Sequence, residues 1–515
     1  MNHKNFVSFF ALVSYGLCAI AQETEYTDLY YTPDFNTDGY NNGRYMQNPA
    51  NWNVGSIDGP VFEGTVNSSS NNLFLVASTP ITTDQMTLFG YDIYKWNLHD
   101  VNLNIGLGNN YRPFCLVESQ SLTIGGDLNV TLKSNVWDWM PEGRIALHDN
   151  TSLVVEGNLN FTNPITGGEV GESGPGRSGV ELTVSPNGTG MAPATFEVKG
   201  NIVFNSADTY SYSSDKMMFT TTATNFKVGG YIDMTEVRSG TYTWDLCNTS
   251  FTGYFSDISI GGLEGGSGMR ISSSGGATVN LTFANSVAHS FAGTFAIREG
   301  IENRLNITMD ASDVQNGSQT LIIKEGGTAS TDYEKVVPGT LESVTVKNGT
   351  LTFGTYSGMA NGSLNLSGDN GKLAITSDTG SGIGTIVFDT ALFERGTIEF
   401  TIVEEGSDKI EITSELSKFG NGKINIEFDA DSHDIYEWIL ASGGESIEYE
   451  LITFGETSGF KDGDFIAEDL GGKVLASLFL RDNALVAQFT AVPEPAALAA
   501  VFGALALALA LRRRR

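Results

Sequence analysis

Leu122–Val130 reads LTIGGDLNV, Leu153–Phe161 reads LVVEGNLNF, Phe196–Phe204 reads FEVKGNIVF and Phe226–Met234 reads FKVGGYIDM, with a partial copy, ISIGGL, at Ile258–Leu263. In each copy apolar and polar residues alternate, a glycine intervenes, and alternation resumes. A period of two places successive side chains on opposite faces of a strand. The shared glycine, at Gly126, Gly157, Gly200, Gly230 and Gly262, predicts a bend that needs either a positive φ or no side chain. The copies begin 31, 43, 30 and 32 residues apart. One such unit cannot bury its own apolar face, so a recurrence near thirty residues predicts coils stacked on one another. The expected fold is all-β, a right-handed parallel β-helix (β-solenoid).

Working outward, the long interval contains NPITGGEVGESGPGRSG, Asn163–Gly179, which has no strand pattern and reads as an insertion on one face. A looser alternation runs through Ser343–Thr376, SVTVKNGTLTFGTYSGMANGSLNLSGDNGKLAIT. The last hundred residues of the body carry more charge. There VLASLFLRDNALVAQF reads as a hairpin turning at Asp482-Asn483, a closing cap over strand edges that would otherwise lie open. Tandem β-sandwiches are the alternative fold. They would show strands at ~8–12-residue spacing with no common coil length.

Composition agrees with a strand-and-turn architecture. The chain has 515 residues, 40% hydrophobic and 10% aromatic, enough for a large core, with 60 glycines and only 17% charged residues. Its formal net charge of −31 favours solubility, repels nucleic acid and anionic lipid, and attracts divalent cations. Three cysteines are present; on the solenoid reading Cys115 and Cys247 lie about four coils apart, ~19 Å along the axis, too far for a disulfide.

The two ends read as addresses. MNHKNFVSFFALVSYGLCAIAQ carries Lys4, an apolar run to Ile20, and small residues at Ala19 and Ala21, the pattern cut by signal peptidase. At the other end Pro493-Glu494-Pro495 is followed by an Ala/Leu-rich span, Ala496–Leu511, and by Arg512, Arg513, Arg514 and Arg515. The arginines would stay on the cytoplasmic side. This three-part order resembles the PEP-CTERM sorting segment of Gram-negative bacteria. The resemblance implies transient anchoring in the inner membrane by a short transmembrane helix. It also implies recognition by an exosortase, a membrane transpeptidase that cuts near the motif. The body resembles the passengers of autotransporters and of many PEP-CTERM proteins. The expected divisions are a signal peptide (1–21), a solenoid passenger (22–385), a C-terminal β region or cap (386–491) and the sorting segment (492–515).

Few residues point to chemistry. Asp34, Asn36 and Asp38 occupy the first, third and fifth places of a calcium loop, with Gly39 at the sixth, but Tyr45 stands where a bidentate Glu is expected. A polar loop accounts for the same residues. Trp137 and Trp139 share a face if extended and would then present rings for sugar stacking; packing against a turn is the plainer reading. In DADSHD, Asp429, Asp431 and His433 would share one strand face as metal ligands, unless the segment is simply a solvated acidic turn. No serine lies in a nucleophile-elbow motif, and no catalytic residues or cofactor beyond calcium are assigned. The expected function is a structural component of the cell surface or extracellular matrix, associated with exopolysaccharide as the resemblance implies. A glycan-binding adhesin is the second reading and a polysaccharide lyase or hydrolase the third.

Overall fold

The structure is a computed structural model of the chain. It describes residues 27–31, 49–56, 58–66, 71–76, 95–98, 101–105, 114–116, 121–132, 145–147, 150–163, 181–184, 194–206, 218–221, 224–235, 242–245, 255–266, 269–273, 278–299, 305–325, 329–330, 335–357, 359–380, 382–444, 446–471, 473–492, 503–509 and 512–513.

The described residues are mostly β, in large parallel sheets. The repeat read from the sequence is the unit of strand pairing. Strands Ser121–Ile124, Ser152–Val155, Ala194–Val198, Thr224–Val228, Phe255–Ile260, Thr278–Phe283, Leu305–Asp310 and Ser343–Thr355 pair in parallel, each with the next. The register aligns Leu122 with Leu153, Phe196, Phe226 and Ile258 in turn. These are the first residues of the five sequence copies. The second halves of the copies form their own parallel ladder, in which Leu128, Leu159, Ile202, Ile232 and Leu263 are in register. A third ladder, beginning with Glu181–Val184, Met218–Thr221 and Tyr242–Asp245, supplies a further face.

Inward residues repeat from rung to rung and fill one continuous core. Phe161 stacks on Phe204 at 4.9 Å and Phe196 on Phe226 at 5.2 Å. Each such side chain taken fully out of water contributes about 1.5–3 kcal/mol.

The shared glycine serves close approach rather than a left-handed backbone. Gly157, Gly200 and Gly230 are absent from the positive-φ glycines. Instead the N–H of Gly157 donates to Gly126 O, that of Gly200 to Gly157 O and that of Gly230 to Gly200 O, each at 2.9 Å. A Cβ on Gly200 would lie 2.6 Å from Gly157 O and 2.5 Å from Asn158 Oδ1. The residue after each glycine completes the turn. Asn158 N–H donates to Asp127 Oδ1 (2.6 Å), Asn201 N–H to Asn158 Oδ1 (2.9 Å) and Tyr231 N–H to Asn201 Oδ1 (3.1 Å). The fifth copy turns one residue sooner. Ile232 N–H donates to Gly262 O where Ile202 N–H donates to Tyr231 O, so Gly262 takes the place of Tyr231 rather than that of Gly230.

The second ladder ends at Leu263–Glu264, and a buried glutamine closes it. Gln319 Oε1 accepts from Leu263 N–H and Gln319 Nε2 donates to Leu263 O, both at 3.0 Å. Its side-chain amide therefore stands in for the peptide group of a further rung. Asn285, also fully buried, donates to Gln319 Oε1 at 3.3 Å. Beside them His289 Nδ1 lies 2.8 Å from Glu264 Oε1 and its ring packs on Tyr231.

Parallel pairing runs on across residues 385 and 386. Thr385–Phe393 pairs with Lys409–Lys418, which pairs with Ser446–Ser458. Antiparallel closure sets in with Ala484–Ala491, placed between Ser446–Ser458 and Val474–Arg481. The hairpin turns at Asp482 (φ 48°) and Asn483 (φ 60°), the two left-handed residues of a type I′ turn. A helix, Ser432–Ala441, buries Ile435 and Ile439 against this closure. The membrane helix expected over 496–511 is described only at 503–509, roughly 10 Å of helix against a ~30 Å hydrocarbon core. Among the described residues no helix is long and apolar enough to cross a membrane.

Candidate functional site

Most residues singled out in the sequence lie outside the described residues: Ala19 and Ala21, the calcium candidates Asp34, Asn36 and Asp38, Trp137 and Trp139, the motif Pro493-Glu494-Pro495, Arg514 and Arg515, and Cys247. Cys115, on strand Phe114–Leu116, pairs in register with Ala146. Of the terminal arginines, Arg513 donates its N–H to Leu509 O at 3.2 Å.

DADSHD does not form the strand face that would join its ligands. Asp429 ends a strand, whereas Asp431 is the N-cap of the helix and accepts His433 N–H at 2.7 Å. The carboxylate satisfies an orphan donor of the first helical turn. Among the described residues no group of three or more His, Cys, Asp or Glu is placed to hold a metal.

The stacking does bring polar side chains together on the outer face of the first ladder. Because inward and outward positions alternate, each strand turns every second side chain outward, and in-register pairing aligns them in rows, two of which run uncharged over several rungs; beside them Asn348 Nδ2 donates to the outward Asp310 Oδ1 at 2.8 Å. One row runs Asp257, Asn280, Asn306, Ser343 and Ser363; the other runs Ser259, Thr282, Thr308, Thr345 and Asn365. The first row is hydrogen-bonded from Asp257 to Ser343. Asn280 Nδ2 donates to Asp257 Oδ1 (2.9 Å), Asn306 Nδ2 to Asn280 Oδ1 (3.1 Å) and Ser343 Oγ to Asn306 Oδ1 (2.6 Å). Rungs recur every ~4.8 Å and the rows lie ~6.7 Å apart, so ten hydrogen-bonding groups form a flat grid. Asp257, at one end, is its only charged member.

The neighbouring surfaces are charged. One rung before Ser259 the second row carries Lys227, ion-paired with Glu197 at 3.4 Å. On a later ladder Lys372 Nζ bridges Glu399 and Glu427, the latter at 2.8 Å, two carboxylates on adjacent strands in register. Burial opposes the Lys372 charge, but the two glutamates outweigh it and hold its pKa above the usual lysine value. Asp408, fully buried, has its pKa raised by desolvation, against hydrogen bonds from Gly384 N–H and Thr401 N–H, both 2.6 Å. These ion pairs and hydrogen bonds tie neighbouring strands together.

Sequence reading missed the grid and the Lys372 bridge. Their members lie 20 to 55 residues apart and meet only once the register is known. No protein-family model matches the chain, and no curated protein matches its sequence.

Proposed function

We propose that the chain is an exported PEP-CTERM protein, processed by signal peptidase and an exosortase, whose body is a right-handed β-solenoid acting as a structural component of the bacterial surface or extracellular matrix. Parallel, in-register pairing of successive repeats supports a solenoid over tandem β-sandwiches, whose sheets are antiparallel.

One observation carries the processing half of the reading. The last described strand, Ala484–Ala491, ends just before the motif Pro493-Glu494-Pro495. Val492 N–H donates to Lys473 O at 2.8 Å, tying the chain just past the end of the terminal hairpin. Beyond it, Leu505, Leu507 and Leu509 of the helical stretch 503–509 are each more than half exposed. Every described residue of this segment is exposed, as befits a detachable handle whose loss leaves the core intact. Exopolysaccharide is the partner that the sorting segment implies.

Cell fractionation tests the reading. The body should reach the surface or matrix fraction in cells with a working exosortase and stay with the inner membrane in cells without one. An unchanged distribution would remove the proposal.

A further inference from the structure

We propose that the uncharged grid on the first ladder is a binding face for a neutral, extended polysaccharide strand. The inference rests on the matrix reading only for there being a glycan to meet; the face itself is argued from charge and geometry.

A chain of net charge −31 repels polyanions. Between Asn280 and Asn365 the two rows offer hydroxyls and amides without one lysine, arginine or carboxylate; the charges on the same strands, Asp310 and the exposed Lys347, stand beyond the rows, and Asp310 is hydrogen-bonded to Asn348. No grid position carries a purely apolar side chain to seat a peptide side chain or a lipid. What fits is a ligand rich in uncharged donors and acceptors. Threonine adds a methyl beside each hydroxyl, suited to the C–H face of a sugar ring. The rung repeat of ~4.8 Å is close to the advance of one ring along an extended glycan. Successive rungs such as Thr282, Thr308 and Thr345 therefore meet successive sugars. The face is flat, so each contact is weak and affinity accumulates with polymer length. Downstream the second row ends on Leu392, 44% exposed, one rung past Asn365.

The test is sedimentation of the purified full chain with microcrystalline cellulose, an insoluble β-1,3-glucan and an insoluble α-mannan, with soluble polygalacturonate as the anionic comparison. At least one neutral polymer should be bound, and polygalacturonate should not compete. The variant Thr282→Val/Thr308→Val/Thr345→Val keeps the β-branched shape and removes three hydroxyls. It should melt like the parent and bind at least tenfold more weakly. Ser286→Ala, on an exposed turn off the grid, should bind like the parent. Binding to none of the three polymers, equal binding by the triple variant, or preference for polygalacturonate would overturn the proposal. Correct surface fractionation together with any of those results would leave the functional reading standing and remove only this face.

Discussion

Gly200→Ala should destabilise the body by about 2–4 kcal/mol, although in isolation the change is a helpful one. Gly200 does not have a left-handed φ. Alanine there would ordinarily stabilise by about 0.4–1 kcal/mol through a less flexible unfolded chain. The stacked turn reverses the sign. The new Cβ would lie 2.6 Å from Gly157 O, where a carbon–oxygen contact needs ~3.3 Å or more. The obstacle is backbone, which cannot rotate away, and overpacking of this kind costs about 1–3 kcal/mol. Pushing the rungs apart also stretches the bonds from Gly200 N–H to Gly157 O and from Gly230 N–H to Gly200 O, both 2.9 Å, each worth ~0.5–1.5 kcal/mol. Urea unfolding gives the total. Hydrogen exchange should place the loss at the amides of 194–206 and 224–232, because stacked repeats transmit strain mainly to neighbours. Gly266 is the control: a Cβ added there meets nothing within 4 Å, and its φ is not positive. Its alanine variant should be neutral or slightly stabilising. If Gly200→Ala is as stable as the parent, or Gly266→Ala is equally damaged, the stacking explanation of the shared glycine is wrong.

Other perturbations follow from single contacts. Gln319→Leu keeps the volume but leaves Leu263 N–H and C=O unpaired in the core, and should cost about 2–4 kcal/mol by urea unfolding; a loss below ~0.5 kcal/mol would mean that water or another group replaces the amide. Asp408 has a folded pKa above its unfolded one, so its contribution is fully present below the ordinary carboxylate value and is lost as pH rises through the folded pKa. The stability of the parent relative to Asp408→Asn should therefore fall as pH is raised from about 4 to 7, and a rise would show that the two N–H donors outweigh burial. A chain ending at Val492 should unfold within ~0.5 kcal/mol of the full chain, since the described leucines beyond it touch no core; a larger loss would tie the tail to the fold.

The repeat was legible because stacking makes equivalent residues neighbours. Leu122, Leu153, Phe196, Phe226 and Ile258 head the five sequence copies and meet in one column. The hairpin at Asp482-Asn483 was legible for a local reason, the left-handed tolerance of those two residues. The sequence left two roles open for the glycines, because a backbone contact 30 to 43 residues away leaves no local trace. The helix Ser432–Ala441 escaped notice because only Ile435 and Ile439 mark its buried face. Its caps were the available signal: Asp431 ahead of it, and Gly443 with φ 67° just beyond Ser442. The outward grid was hidden altogether, since Ser, Thr and Asn are common in this chain and only the register shows which of them align.

The most direct test of the central claim is the intact mass of the mature protein from cells with and without the exosortase. The account predicts a chain beginning after Ala21 and ending near Val492 only when the enzyme is present. A chain that still ends at Arg515 in both strains would contradict it, leaving a β protein with an ordinary hydrophobic tail and no sorting signal.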